Sequence, residues 1–191
     1  VLDVGCGLGG PARMLADEKN CVVTGLDLSQ EFIETAKALS KLVNLDCNTT
    51  FLKGDALDLP FERDSFDIVW TQHVQMNISE KKKFYSEIFR VLKIGGKFLY
   101  YDILKSSDNE INYPMPWASS EELSHLINII ELEKILSSIG FNSFSKRNQT
   151  DAGLASIKKM LSNIKEFGPP EVTAKVLHSV FLVIYLKDSK T

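Results

Sequence analysis

The chain has 191 residues, 44% of them hydrophobic and 25% charged, with a formal net charge of -3. That supports one domain with its own core. The acidic balance argues against a nucleic-acid partner, whose phosphates select a cationic face.

No apolar run approaches the roughly 20 residues that a bilayer span requires, and no signal-peptide pattern is present. Cys6, Cys21 and Cys47 lack metal-ligand spacing and lie in or beside apolar segments. Reduced, buried thiols and a cytoplasmic location are therefore expected, with no metal. The one tight basic cluster, Lys81-Lys82-Lys83, reads as the solvated first turn of an amphipathic helix. The chain opens inside an apparent strand without an initiator Met, so further natural residues are expected before Val1.

Val1-Leu2-Asp3-Val4 reads as a short apolar strand that runs into a glycine turn. Pro11 suits a first helical turn, where its missing N–H leaves no bond unmade. Cys21 to Leu26 is rich in β-branched residues and reads as a second strand. Ser29 suits an N-cap, before a helix with Phe32, Ala36, Leu39 and Val43 on one stripe. Thr49 to Leu52 and Phe66 to Trp70 are strands three and four.

Ser79 is placed to cap the next helix, with Phe84, Ile88, Val91 and Leu92 inward. Gly95-Gly96 would end it before a fifth strand, Lys97 to Tyr101. A long irregular segment follows, containing Tyr113-Pro114-Met115-Pro116-Trp117-Ala118. Ser119 and Glu122 have capping-box spacing. Leu132, Ile135, Leu136 and Ile139 form a helical face closed by Gly140. Phe141 to Phe144 suggests a strand, Leu154, Ile157, Leu161 and Ile164 a helix, and Val180 to Leu186 the last strand. Alternating strands and helices predict an open, doubly wound α/β sheet.

Ligands of such sheets bind at the carboxyl ends of the strands. The first turn, Asp3-Val4-Gly5-Cys6-Gly7-Leu8-Gly9-Gly10, lets a ligand approach the backbone closely. Gly5, Gly7 and Gly10 also satisfy dinucleotide spacing, with Asp27 near the place of a ribose-binding acid. Asp3 separates the two readings. A carboxylate there would repel a pyrophosphate but attract a sulfonium and an ammonium. Asp27 is placed to accept ribose hydroxyls, at roughly 1.5–3 kcal/mol per charged hydrogen bond. Gly54-Asp55-Ala56 follows the third strand, where Asp55 suits an adenine amine.

Together with Phe66-Asp67 and Arg90-Val91-Leu92-Lys93-Ile94-Gly95-Gly96, these segments resemble the class I S-adenosylmethionine-dependent methyltransferases. The resemblance covers about the first hundred residues. It implies a Rossmann-like, three-layer α/β/α fold with seven strands, the last antiparallel. It also implies one methyltransferase domain over 1–191 that lacks its N-terminal helices, with a substrate-loop and helical insert region within 103–178. S-adenosylmethionine would be the cofactor and S-adenosylhomocysteine the product. Asp3, Gly5, Gly7 and Gly9 would border its methionine part, Asp27 with Leu28 the ribose side, and Asp55 with Ala56 the adenine. Thr71 and Gln72 would close over it.

An activated methyl donor needs mainly alignment of a nucleophile, which can lower a barrier by about 7–11 kcal/mol. A base is needed only for a protonated acceptor. His73 is the candidate base, and His125 and His178 are expected to be structural. Gln75 and Asn77 either orient a polar acceptor or satisfy loop backbone, and Trp117 could cover an acceptor with its ring.

The Pro-Met-Pro-Trp loop and Gln72 resemble sarcosine- and dimethylglycine-type N-methyltransferases. A small-molecule amine is therefore the leading expectation, ahead of C- or O-methylation of a quinone-like or phenolic acceptor. After Phe167-Gly168-Pro169-Pro170, this chain reaches its last strand sooner than that subgroup. The Asn/Asp-Pro-Pro-aromatic tetrapeptide of base methyltransferases is missing after Trp70. A non-catalytic cofactor-binding module and a dinucleotide-dependent oxidoreductase are the competing classes.

Overall fold

A computed structural model describes residues 1–106, 111–153, 155, 158–159 and 162, and the backbone of 180–186. Strands β1 (Leu2–Val4), β2 (Val23–Asp27), β3 (Thr49–Lys53), β4 (Phe66–Gln72) and β5 (Leu92–Ile103) pair in parallel in the order β3-β2-β1-β4-β5. Beyond β5, strand β7 (Val180–Leu186) pairs antiparallel with both β5 and β6 (Ser143–Asn148).

Helices α1 (Gly10–Lys19) and α2 (Gln30–Leu42) connect the first three strands. Their Ala12, Ala16, Ile33 and Ala36 pack with Cys6, Val23 and Phe51. Helices α3 (Lys81–Val91) and α4 (Ile129–Ile139) belong to a second cluster, in which Phe84, Ile88, Leu132 and Leu136 meet Leu2, Val4, Val69 and Phe98. Successive strand residues alternate between the clusters: Phe51 joins the first and Leu52 packs on the second. The functional crevice is expected where these strands end.

Several expected details change. The Ser29 hydroxyl does cap α2, accepting from Phe32 N–H at 3.2 Å. The buried stripe, however, is Ile33, Ala36 and Ser40, while Phe32 is 47% and Val43 55% exposed. Spacings of three and four still hold, but the stripe sits one step round the helix. Ser79 supplies no side-chain cap to α3; its carbonyl accepts from Lys81 N–H, and the cap position is Glu80.

Lys81 is buried, so only Lys82 and Lys83 behave as solvated charges. Cys47 is exposed rather than buried, and all of the cysteines are free. Gly95-Gly96 does not end α3, because β5 begins directly at Leu92. β4 advances from Phe66 to Ile68 while β5 advances from Leu92 to Lys97, so the glycines lie in an irregularity of the strand. No capping box forms at Ser119 and Glu122: a short 3-10 turn, Glu121–Leu123, stands there without a side-chain cap. α4 is capped instead by Asn128, which accepts from Glu131 N–H at 2.9 Å, and it closes at Gly140. Phe141 is core, and β6 starts after it. Leu154, Ile157, Leu161, Ile164 and the 167–170 segment lie outside the described residues, as does His178.

Arg90 explains part of the motif in which it sits. Its guanidinium donates to Phe61 O at 2.6 Å, to Leu59 O at 2.8 Å and to the Glu87 carboxylate. It thereby fastens the loop before β4 to α3. Arg90→Ala is expected to lower stability by about 2 kcal/mol, read as a thermal midpoint lower by roughly 4–8 °C.

Candidate active site

The carboxyl ends of β1 and β2 are tied together through backbone. Gly5 N–H and Cys6 N–H both donate to Leu26 O, at 2.7 and 3.0 Å. This bend requires Gly5 at φ 75° and Gly7 at φ 52°, a region side-chain-bearing residues rarely occupy. Asp27 is half-buried at the end of β2 and accepts Gly7 N–H at 2.8 Å on Oδ2 and Ser29 N–H at 3.0 Å on Oδ1. A carboxylate has about four acceptor sites, so both oxygens retain capacity for a ligand. A Cβ built on Gly7 meets no atom within 4 Å. The loop therefore borders open space.

Asp3 is 2% exposed, and its Oδ2 has no partner among the described residues. Burial, and then the charge of Asp27, push its carboxyl up to about 7. Trp70 and Thr71, register partners of Asp3 and Val4, also carry buried unpartnered atoms, Nε1 and Oγ1. Orphaned buried polar groups are costly and rare, and here they gather at neighbouring strand positions. Burial, with Asp3 and Asp27 next, pushes the Cys6 thiol up to about 12, so it is not a nucleophile at neutral pH.

The remaining expected residues surround this centre unequally. Asp55 is exposed, and its Oδ1 accepts Leu57 N–H at 2.8 Å, shaping the turn that presents Ala56. Leu28 is 69% exposed beside Asp27. Gly9 precedes α1 as its N-cap, and Gln72, half-buried, ends β4.

His73 follows at φ 55°, its N–H donating to Tyr101 O at 2.9 Å and its ring set edge-on to the Tyr101 ring at 5.1 Å. The residue as a whole is exposed, but partial desolvation holds its imidazole below the ordinary value. Trp117 is half-buried, donates from Nε1 to Ser124 Oγ at 3.1 Å, and packs with Tyr101 and Leu126 on Met76 and Ile103.

Gln75 does not face an open loop. It is fully buried, with its Nε2 donating to Ile103 O at 2.9 Å. Asn77 donates to Trp117 O and Leu123 O. Gln75 thus bonds the end of β5 through Nε2 and Asn77 bonds loop backbone, while the buried Oε1 of Gln75 has no partner among the described residues. His125 is half-buried and its backbone N–H donates to Met76 O, consistent with a structural part. Tyr101, Val74 and Asp102 were not anticipated; an Asp at the end of an apolar strand was the available signal.

The site fits a ligand that carries positive charge and ribose: an unpartnered buried carboxylate lies near a second acid and a glycine loop open to one side. Among curated proteins, the chain is 31% identical over 157 residues to the sterol 24-C-methyltransferase of Schizosaccharomyces pombe, covering 79% of this chain and 42% of that protein. It is 41% identical over 102 residues to the cycloartenol-C-24-methyltransferase of Arabidopsis thaliana, covering 53% and 30%. The chain thus spans less than half the length of these relatives.

A phosphoethanolamine N-methyltransferase 2 from Haemonchus contortus, solved with S-adenosyl-L-methionine, shares the fold at a TM-score of 0.82 and 23% identity. That match covers 98% of this chain and 48% of the other. Residues 2–100, more than half of the chain, match the family model described as a methyltransferase domain. With that match over the same strands that carry Asp3, Asp27 and the glycine loop, the chain belongs to the methyltransferase-domain family of S-adenosylmethionine-dependent enzymes.

Proposed function

We propose that this protein transfers a methyl group from S-adenosylmethionine to a carbon atom of a small, largely apolar acceptor. The observation that carries the cofactor half is Asp3, a buried carboxyl with an unpartnered oxygen near the open space at Gly7. Asp3 would hold the cofactor's ammonium, Asp27 its ribose hydroxyls, and Asp55 with Ala56 its adenine. Gly5, Gly7 and Gly9 would border the methionine part, with Leu28, Thr71 and Gln72 around it. The bound cofactor supplies a methyl group on a positively charged sulfur. The protein's own residues hold the acceptor, exclude water and accept any proton released. The full seven-stranded sheet belongs to this reading, since β7 runs antiparallel beside β5.

Two observations move the acceptor from the expected amine toward carbon. The two curated relatives compared above carry names for methylation at C-24, of a sterol and of cycloartenol. The ring beside His73 is Tyr101, which packs with Trp117 and Leu126 on Met76 and Ile103 in an apolar, aromatic cluster. When an alkene carbon takes the methyl group, its π pair forms the new C–C bond and the C–S bond breaks toward sulfur. The resulting carbocation then loses a proton. Desolvation lowers the His73 pKa and so favours the neutral imidazole, whose ring nitrogen can accept that proton. An amine acceptor is the second reading, favoured by the aromatic faces of Tyr101 and Trp117, which also suit a cation.

The test is incubation of the full-length native protein with methyl-labelled cofactor and two panels, unsaturated lipids and small amines. Label in a new C–CH₃ group supports the carbon reading, label on nitrogen only moves the assignment to the second, and no transfer to either sinks both. In the same assay His73→Ala is expected to lower kcat by about 10²-fold while leaving cofactor affinity nearly unchanged. An equal loss in both would make His73 structural.

A further inference from the structure

The loop that carries His73 is held by β5 from beneath. Asp102, fully buried in β5, accepts Val74 N–H and Gln75 N–H on Oδ2, each at 2.9 Å, and its own neighbour Ile103 N–H on Oδ1 at 2.8 Å. The Gln75 side chain returns to Ile103 O at 2.9 Å. From the other side, the buried ammonium of Lys81 donates to Gln75 O. Gln75, two positions after a histidine with positive φ, is therefore gripped at its N–H, its carbonyl and its side-chain amide nitrogen.

An apolar core could pack this loop without a buried acid and a buried amine, which are expensive to desolvate. Their presence here, bonded to one short stretch of loop, points to placement rather than stability. Burial raises the Asp102 carboxyl to about 6, against the pull of the three N–H groups and Lys81, so it stays ionised at neutral pH. Lys81, lowered to about 8 by burial, keeps its charge there too.

We infer that Asp102, assisted by Lys81, is a positioning residue that clamps the Val74–Gln75 backbone next to His73 and so fixes the His73 imidazole on the acceptor side of the crevice. The inference rests on the acceptor-side reading of His73 above. Asn at position 102 keeps the shape but replaces one acceptor oxygen by a donor, which then faces an N–H. A clamp of this kind should fail locally.

In Asp102→Asn, amide hydrogen exchange at Val74 and Gln75 should accelerate at least tenfold. The His73 ring titration, followed by NMR, should rise toward the ordinary histidine value. S-adenosylhomocysteine affinity by calorimetry should change less than threefold. Exchange and titration like those of the parent protein would overturn the inference, and so would a large loss of S-adenosylhomocysteine binding, which would place Asp102 on the cofactor side. Should Asp102→Asn fail to fold, Lys81→Met serves instead, with the same changes in smaller size expected and parent-like exchange and titration overturning the clamp. No readout needs an acceptor. A protein that methylates nothing would therefore sink the proposed function and leave the clamp to be decided by exchange and titration.

Discussion

Asp3→Asn should give a protein that melts at a higher temperature at pH 8 and binds S-adenosylmethionine at least a hundredfold more weakly. The two effects have one cause. Asp3 is buried, lacks a partner on Oδ2, and titrates at about 7 instead of near 3.8. Because the folded state holds this proton more tightly than the unfolded chain does, the native protein loses stability as pH rises from about 4 to about 7. Above pH 7 the full cost is present. At about 1.4 kcal/mol per pKa unit, the variant should be more stable there by about 2–4 kcal/mol, or roughly 4–16 °C in thermal midpoint. At pH 4 the advantage should nearly vanish.

Binding should move the other way. Removing one partner of a buried charge pair costs about 3–5 kcal/mol, so affinity should fall on the order of 10²–10⁴-fold. In the parent protein the ligand needs Asp3 ionised. Affinity should therefore decline below about pH 7, by at most about tenfold per unit, and binding at pH 6 should release protons, so that its measured heat varies with the ionisation enthalpy of the buffer. Unchanged cofactor affinity in Asp3→Asn would remove the central contact of the proposed site.

Gly5→Ala and Gly7→Ala should separate a glycine required by the fold from one required by the ligand. Both positions have positive φ, costing any other residue about 1–2 kcal/mol. At Gly5 a Cβ would stand 2.4 Å from Val74 Cγ2, which must give way. Overpacking adds about 1–3 kcal/mol, so Gly5→Ala should lose about 2–5 kcal/mol in all. Adding Val74→Ala should recover the steric share but not the backbone share, and a double-mutant cycle in denaturant measures the coupling. Because Val74 follows His73, the single variant should disturb the acceptor side as well. At Gly7 the added methyl meets nothing in the protein. Gly7→Ala should therefore cost stability only the backbone strain, while cofactor affinity drops sharply. Equal stability losses at the two sites would contradict this division.

These contrasts show where the linear sequence stops informing. The order of strands and helices, the glycine turn, and the acids Asp3, Asp27 and Asp55 could be read directly, because local periodicity and turn chemistry are written within a few residues of each site. The cap at Ser29 was readable for the same reason. The phase of the α2 stripe was not. Ile33, Ala36 and Ser40 face the sheet because the sheet lies on that side, and no rule internal to the helix selects it over its neighbour.

Lys81 illustrates the limit more sharply. Three lysines in a row read as a solvated turn, yet the first is folded inward because Gln75 O and the Asp102 charge provide a place for its ammonium. Likewise the sequence left Gln75 open between orienting an acceptor and satisfying backbone, and the bond from its Nε2 to Ile103 O depends on a strand the local sequence does not contain. The sequence by itself determined the strand–turn–helix grammar and the residues that favour a cationic, ribose-bearing ligand, since those depend on neighbours in the chain. The tertiary structure decided which buried charges meet across β4, β5 and α3. Burial and pairing are set by partners about 28 residues away, and a pattern confined to one segment contains no record of them.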